Sequence, residues 1–132
     1  MTKFKLKIIT PHGIYQEVEI DQINIRTTAG QIGILAHHIP LASGVEISQM
    51  NYIVDGKKTY FAVAGGFVHV NENETTLIAN AIESQEEIDL HRAEEAKQRA
   101  EERLQNKNSD TDILRAEIAL RRALTRIHVK GL

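Results

Sequence analysis

The sequence predicts an N-terminal antiparallel β-sandwich, or a flattened barrel, over residues 1–86 and an antiparallel two-helix hairpin over 87–132. Three observations carry this reading. Seven of the eight glycines, both prolines and all six aromatics lie at or before Phe67. In that part, apolar residues recur with period two between closely spaced turn signals. Beyond Glu87 they recur at helical spacing, with no glycine before Gly131. A shift of this size marks a change of architecture.

The elements follow in order. Phe4, Leu6 and Ile8 alternate with Lys3, Lys5 and Lys7, which puts the lysines on a wet face. A second strand is expected around Ile14 to Ile20, and Ile23 with Ile25 repeats the alternation. Asp55-Gly56 stands between two apolar runs, a strong hairpin signal. Gly65-Gly66 predicts a bulge or a tight corner, and Asn71 to Glu74 a polar turn. From Ile88 to Leu104 strong helix formers dominate, with Asp89 expected in the first turn, where the macrodipole favours negative charge. Ser109, Asp110, Thr111 and Asp112 offer N-caps for a second helix. That helix carries Ile113, Ala116, Leu120, Ala123 and Ile127 on one stripe, and Ala93, Ala96 and Ala100 answer from the first. Such an alanine seam buries little area, so the hairpin is expected to be weakly held and able to move.

Composition excludes several classes of function. A net charge of −2 gives no general attraction to nucleic acid, and six aromatics are few for stacking bases. Without cysteine there is neither a disulfide framework nor a thiolate metal site. The N-terminus lacks the apolar core of a signal peptide, and no apolar run approaches the ~20 residues that span a bilayer. Membrane association is therefore expected only through a partner, without direct insertion.

Little points to catalysis. His37 and His38 are adjacent and diverge, while His12, His69, His91 and His128 are scattered without metal-ligand spacing, so no protein-ligated metal is expected. Gly30 to Leu35 has two glycines but not the lysine-threonine ending of a phosphate-binding loop. None of the four serines sits in a nucleophile motif.

The arginines are more informative. Arg92 and Arg99 share one face of the first predicted helix, and Arg122 and Arg126 one face of the second. Closing the hairpin would let these four converge, and a polyanion would relieve their repulsion, since the guanidinium fork suits phosphate. Glu83, Asp89 and the backbone near Ala93 would supply further polar contacts. A solvated face with pairs such as Glu95 with Arg99 fits the same residues, and so does docking on an acidic partner helix. The spacing leaves all three open.

Several stretches together resemble one family. They are "TPHG" near the start, "TTAGQIGILAHHIPL" (27–41), "FAVAGGFVHV" (61–70), "TLIANAIES", "IDLHRAEEAKQRAEERL" and "DILRAEIALRRALTRI". In this order and spacing, over essentially the whole chain, they are similar to the epsilon subunits of bacterial F-type ATP synthases. The resemblance implies a ten-stranded β-sandwich followed by a two-helix hairpin, set on the central rotor stalk. The sandwich would grip the gamma subunit and the ring of c subunits and transmit torque without chemistry of its own.

The resemblance also implies regulation. The hairpin would fold on the sandwich in one state and, in the other, extend into the catalytic head and block ATP hydrolysis. Its basic face of Arg115, Arg121, Arg122, Arg126 and Lys130 would then meet acidic segments of the beta subunits, beside alpha. In some members the folded hairpin binds ATP as a regulatory ligand that is not hydrolysed. The matching positions are Ile88, Asp89, Arg92 and Ala93, with Glu83, Arg99, Arg122 and Arg126. Gln31 stands where many members carry an acid toward the c ring, with His38 and Ile39 as further stalk contacts. The implied location is the cytoplasmic face of the bacterial cell membrane, held there by the complex. A free-standing β-sandwich binding module with a dimerising hairpin is the alternative.

Overall fold

The computed structural model describes residues 2–72, 74–106, 108 and 110–132. Eight strands precede two helices: β1 (Phe4–Thr10), β2 (Gly13–Ile20), β3 (Gln22–Thr27), β4 (Gly30–Leu35), β5 (Leu41–Val54), β6 (Lys57–Val70), β7 (Glu74–Ala79), β8 (Ile82–Ser84), α1 (Leu90–Gln105) and α2 (Ile113–Lys130). The strands are ordered β2-β1-β7-β6-β5-β3-β4, with β8 paired to β6. They fold into a β-sandwich around one core, which includes Leu6, Ile8, Ile23, Ile25, Phe61, Val68 and Leu77.

Two expectations are corrected. The sheet is mixed rather than purely antiparallel, because β1 and β7 run parallel, with Leu6 opposite Thr75 and Ile8 opposite Leu77. Strands so distant in sequence are joined by the long crossover that a parallel pair requires, here β2 to β6. Among the described residues the count is eight, not ten, because β5 and β6 are each 14 residues long and run unbroken through both layers.

The corner in β6 shows how one strand serves two layers. Before it, Phe61 and Val63 face the core; after it, Val68 and Val70 do, so the inward parity changes. Gly65 and Gly66 make the change, with φ of 81° and 151°. There β6 leaves β8 and takes up β7, with Val63 opposite Ile82 but Gly66 opposite Ala79. At the far end of β6, Asp55 and Gly56 both have positive φ, as a two-residue hairpin of type I′ requires. The buried Asp21 carboxylate accepts from the Asp55 N–H at 2.7 Å and pairs with Lys3 Nζ at 3.0 Å. These two contacts, the backbone N–H first, hold its pKa below the usual aspartate value. The expected polar turn after β6 is present, with Asn71 Oδ1 accepting from the Glu74 N–H; Asn73 within it lies outside the described residues.

The hairpin docks through α2, which lies on β5 and β6, while α1 packs on α2. Ala93 and Ala100 face Ala116 and Ala123 in a fully buried seam. Asp89 is not in the first turn of α1 but is its N-cap, its carboxylate accepting from the Arg92 N–H at 3.2 Å. The helix therefore begins at Leu90, and Ile88 is a buried linker residue. Of the four residues offered as caps for α2, Asp112 is the one used; Ser109 lies outside the described residues.

Candidate regulatory site beneath the hairpin

A cavity of about 310 Å³ separates the hairpin from the sandwich. Ala62, Ile82 and Glu83 line it from β6 and β8, Ala96 from α1, and Arg122 and Arg126 from α2. The alanine seam that brings α1 close to α2 leaves too little side chain to fill the space beneath. The volume lies at the low end of ligand pockets, and its walls combine apolar surface with a few charged groups.

Arg126 is the best-placed cation. Its Nε lies 2.8 Å from Glu83 Oε1, and Nη2 donates to Oε2 at 3.5 Å. The two contacts make a fork-shaped ion pair in which the Nε–H is poorly aligned with its oxygen. Arg122 sits at the rim, exposed, and makes no side-chain ion pair or hydrogen bond among the described residues.

The other residues singled out in the sequence are distributed as follows. Ile88 is 3% exposed and packs with Ala62, Tyr60 and Val129, anchoring the linker. Asp89 caps α1, and Ala93 is in the seam. Arg92 and Arg99 are exposed on α1 and do not line the cavity, so the structure does not gather all four arginines. Arg99 instead lies 3.9 Å from Glu95, an exposed i,i+4 pair worth a few tenths of a kcal/mol. Spacing fixes which arginines share a helix face, but not how that face is turned about the helix–helix seam.

Three of the five residues on the basic face of α2 reach the sandwich. Arg121 meets Glu46 at 3.7 Å, Arg126 meets Glu83, and Lys130 Nζ donates to the Gln85 carbonyl at 2.9 Å. Arg115, in the first turn, has its backbone N–H capped by Asp112 at 3.0 Å. Away from the cavity, Gln31 is exposed near the start of β4, whereas the half-buried His38 and the exposed Ile39 follow its end. His38 lies in a turn, not a strand; its Nδ1 is 2.7 Å from the Ile39 carbonyl.

Sequence reasoning missed the linker. Ser84 and Glu87 bond reciprocally: the Ser84 N–H donates to Glu87 Oε1 at 2.9 Å, and the Glu87 N–H to Ser84 Oγ at 3.3 Å. The S-x-x-E spacing of a capping box would have found this turn. Tyr15 donates to the same carboxylate from β2. That bond is the main reason the Glu87 pKa falls below the ordinary glutamate value, while burial, with the bond second, pushes the Tyr15 hydroxyl up.

Comparison with known proteins agrees with this architecture. Residues 3–85 match the family model for the ATP synthase delta/epsilon chain β-sandwich domain, and residues 86–131 match that for its long α-helix domain. The ATP synthase epsilon chain of Bacillus cytotoxicus is 40% identical, covering 100% of this chain and 99% of its own. That of Desulfitobacterium hafniense is 42% identical over 95% of this chain and 94% of its own. A chain of the Euglena gracilis mitochondrial ATP synthase, seen by cryo-EM, superposes with a TM-score of 0.84 at 23% identity, covering 100% of this chain and 83% of that one. Both family domains are matched in order and the relatives align over nearly their full length. The chain therefore belongs to the ATP synthase delta/epsilon chain family, as a subunit of the synthase that carries no catalysis of its own.

Proposed function

We propose that the chain is a central-stalk subunit of a proton-translocating F-type ATP synthase whose hairpin is an ATP-responsive brake on hydrolysis. The sandwich joins the gamma subunit to the c ring, with Gln31, His38 and Ile39 among its stalk contacts. The hairpin extends to meet the beta and alpha subunits and block hydrolysis, and bound ATP holds it closed. The assembly sits on the cytoplasmic face of the membrane. No helix among the described residues is long and apolar enough to cross it.

The observation that carries this reading is the underfilled cavity with Arg122 and Arg126 in its wall. A phosphate there would meet the outer face of the Arg126 guanidinium, and Arg122 at the rim would take more of the charge. The alanines offer a flat apolar surface to the base. Glu83 fixes Arg126 in place, and Arg92 and Arg99, outside the cavity on α1, reach the rest of the triphosphate only by swinging toward it. Only the closed hairpin brings Arg122 and Arg126 over Glu83 and the alanines, so ATP favours that state by differential affinity. At a concentration 100 times Kd the gain is about 2.7 kcal/mol.

The same arginines explain the brake. Arg121, Arg126 and Lys130 are occupied by the sandwich when the hairpin is closed and become available to acidic partners when it opens. Calorimetric titration tests the site. Arg126→Ala and Arg92→Ala should each weaken ATP binding by about 1.5–3 kcal/mol, the value of a charged hydrogen bond. Unchanged affinity in both variants would remove the nucleotide site.

A further inference from the structure

The docked hairpin is not held chiefly where the cavity lies. The apolar contact around Ile88, Val129 and Ala62 is at the hinge end, where α2 finishes beside the linker that starts α1. Val129 is 0% exposed there, against an open space of about 310 Å³ further along the same interface. The polar contacts concentrate at the same end. Gln85 Nε2 donates to the Val129 carbonyl at 3.0 Å and to the Leu132 main-chain oxygen at 2.6 Å. In return, Lys130 Nζ donates to the Gln85 carbonyl at 2.9 Å.

Gln85 itself belongs to the sandwich. Its N–H donates to the Tyr60 carbonyl on β6 at 2.9 Å, and the turn it sits in is pinned to β2 by Tyr15 and Glu87. The last carbonyls of a helix have no partner within it. In α2 the Gly131 and Leu132 N–H groups take the Ile127, His128 and Val129 carbonyls. Gln85, from the stationary body, adds a second donor to Val129 and holds the Leu132 oxygen, while its own carbonyl takes the Lys130 ammonium of the last turn.

We propose that Gln85 is a latch: its grip on the end of α2 sets how often the hairpin leaves the sandwich, whether or not nucleotide is bound. Water replaces each of its bonds when the hairpin opens, so each is worth a modest factor rather than a permanent lock. Because the open state does not bind the ligand, the latch also sets the apparent affinity for it. This last consequence rests on the nucleotide reading; the latch itself does not.

Amide hydrogen exchange on the full chain without nucleotide tests it, comparing Gln85→Ala with the parent. Two lost side-chain bonds should speed exchange across α1 and α2 by about tenfold, with the sandwich strands unchanged. Equal hairpin exchange in the two chains overturns the latch. So does faster exchange spread equally over β1 to β7, which would make Gln85 a general support of the fold. Adding ATP to both chains separates the two ideas. If ATP slows neither tail while the Gln85→Ala effect persists, the nucleotide reading fails and the latch stands.

Discussion

Removal of residues 87–132 is expected to leave a folded sandwich that still joins the rotor and no longer restrains ATP hydrolysis. The buried residues of the sandwich core all lie between Leu6 and Ile82. In the small cluster shared with the hairpin the sandwich contributes Ala62 and part of Tyr60, and the cavity leaves much of the remaining interface unfilled. At about 25 cal/mol per Å², uncovering one alanine and part of one tyrosine costs on the order of 1–2 kcal/mol. All five residues of the basic face leave with the hairpin, hence the complete loss of inhibition. Thermal unfolding, co-purification with gamma and the hydrolysis rate of the reassembled enzyme check the three parts. A truncated chain that cannot fold would show that the hairpin belongs to the core.

Gly66→Ala should have the largest effect of any single substitution on folding, a loss of about 4 kcal/mol or more. A Cβ there would sit 2.1 Å from the Ile78 carbonyl oxygen, which is β7 backbone and has no flexible end to yield. The φ of 151° is also unfavourable to any L side chain. Relieving the contact means parting β6 from β7 at the point where the strand changes layers. Denaturant unfolding measures the loss; a variant within 1 kcal/mol of the parent would mean that the corner is not built as described.

Gly65-Gly66 and Asp55-Gly56 were legible in the sequence because backbone conformations open to few residues leave a local mark. So were β1 and β3, where lysines or polar residues alternate with leucine and isoleucine. The parallel pairing of β1 with β7 left no such mark. Period two is the same for both strand directions, and the partners are set by topology. The site divides in the same way. The spacing of Arg122 and Arg126 put both on one face of α2, and both line the cavity. The position of Arg92 and Arg99 depends on how α1 turns about an alanine seam, which no spacing records. Gln85 and Glu46 act on residues far along the chain, through single polar contacts without periodicity. Nothing local distinguishes them from ordinary surface side chains. Only the Ser84-to-Glu87 spacing carried a readable mechanism.

The central claim is that the hairpin has two resting states and that ATP favours the closed one. Titration of the full chain with ATP, read by amide exchange across 90–130, tests it most directly. Near saturation, at about 100 times Kd, exchange in both helices should slow by about a hundredfold while the sandwich strands stay as they were. Helices that exchange at one rate from zero ATP to saturation would contradict it.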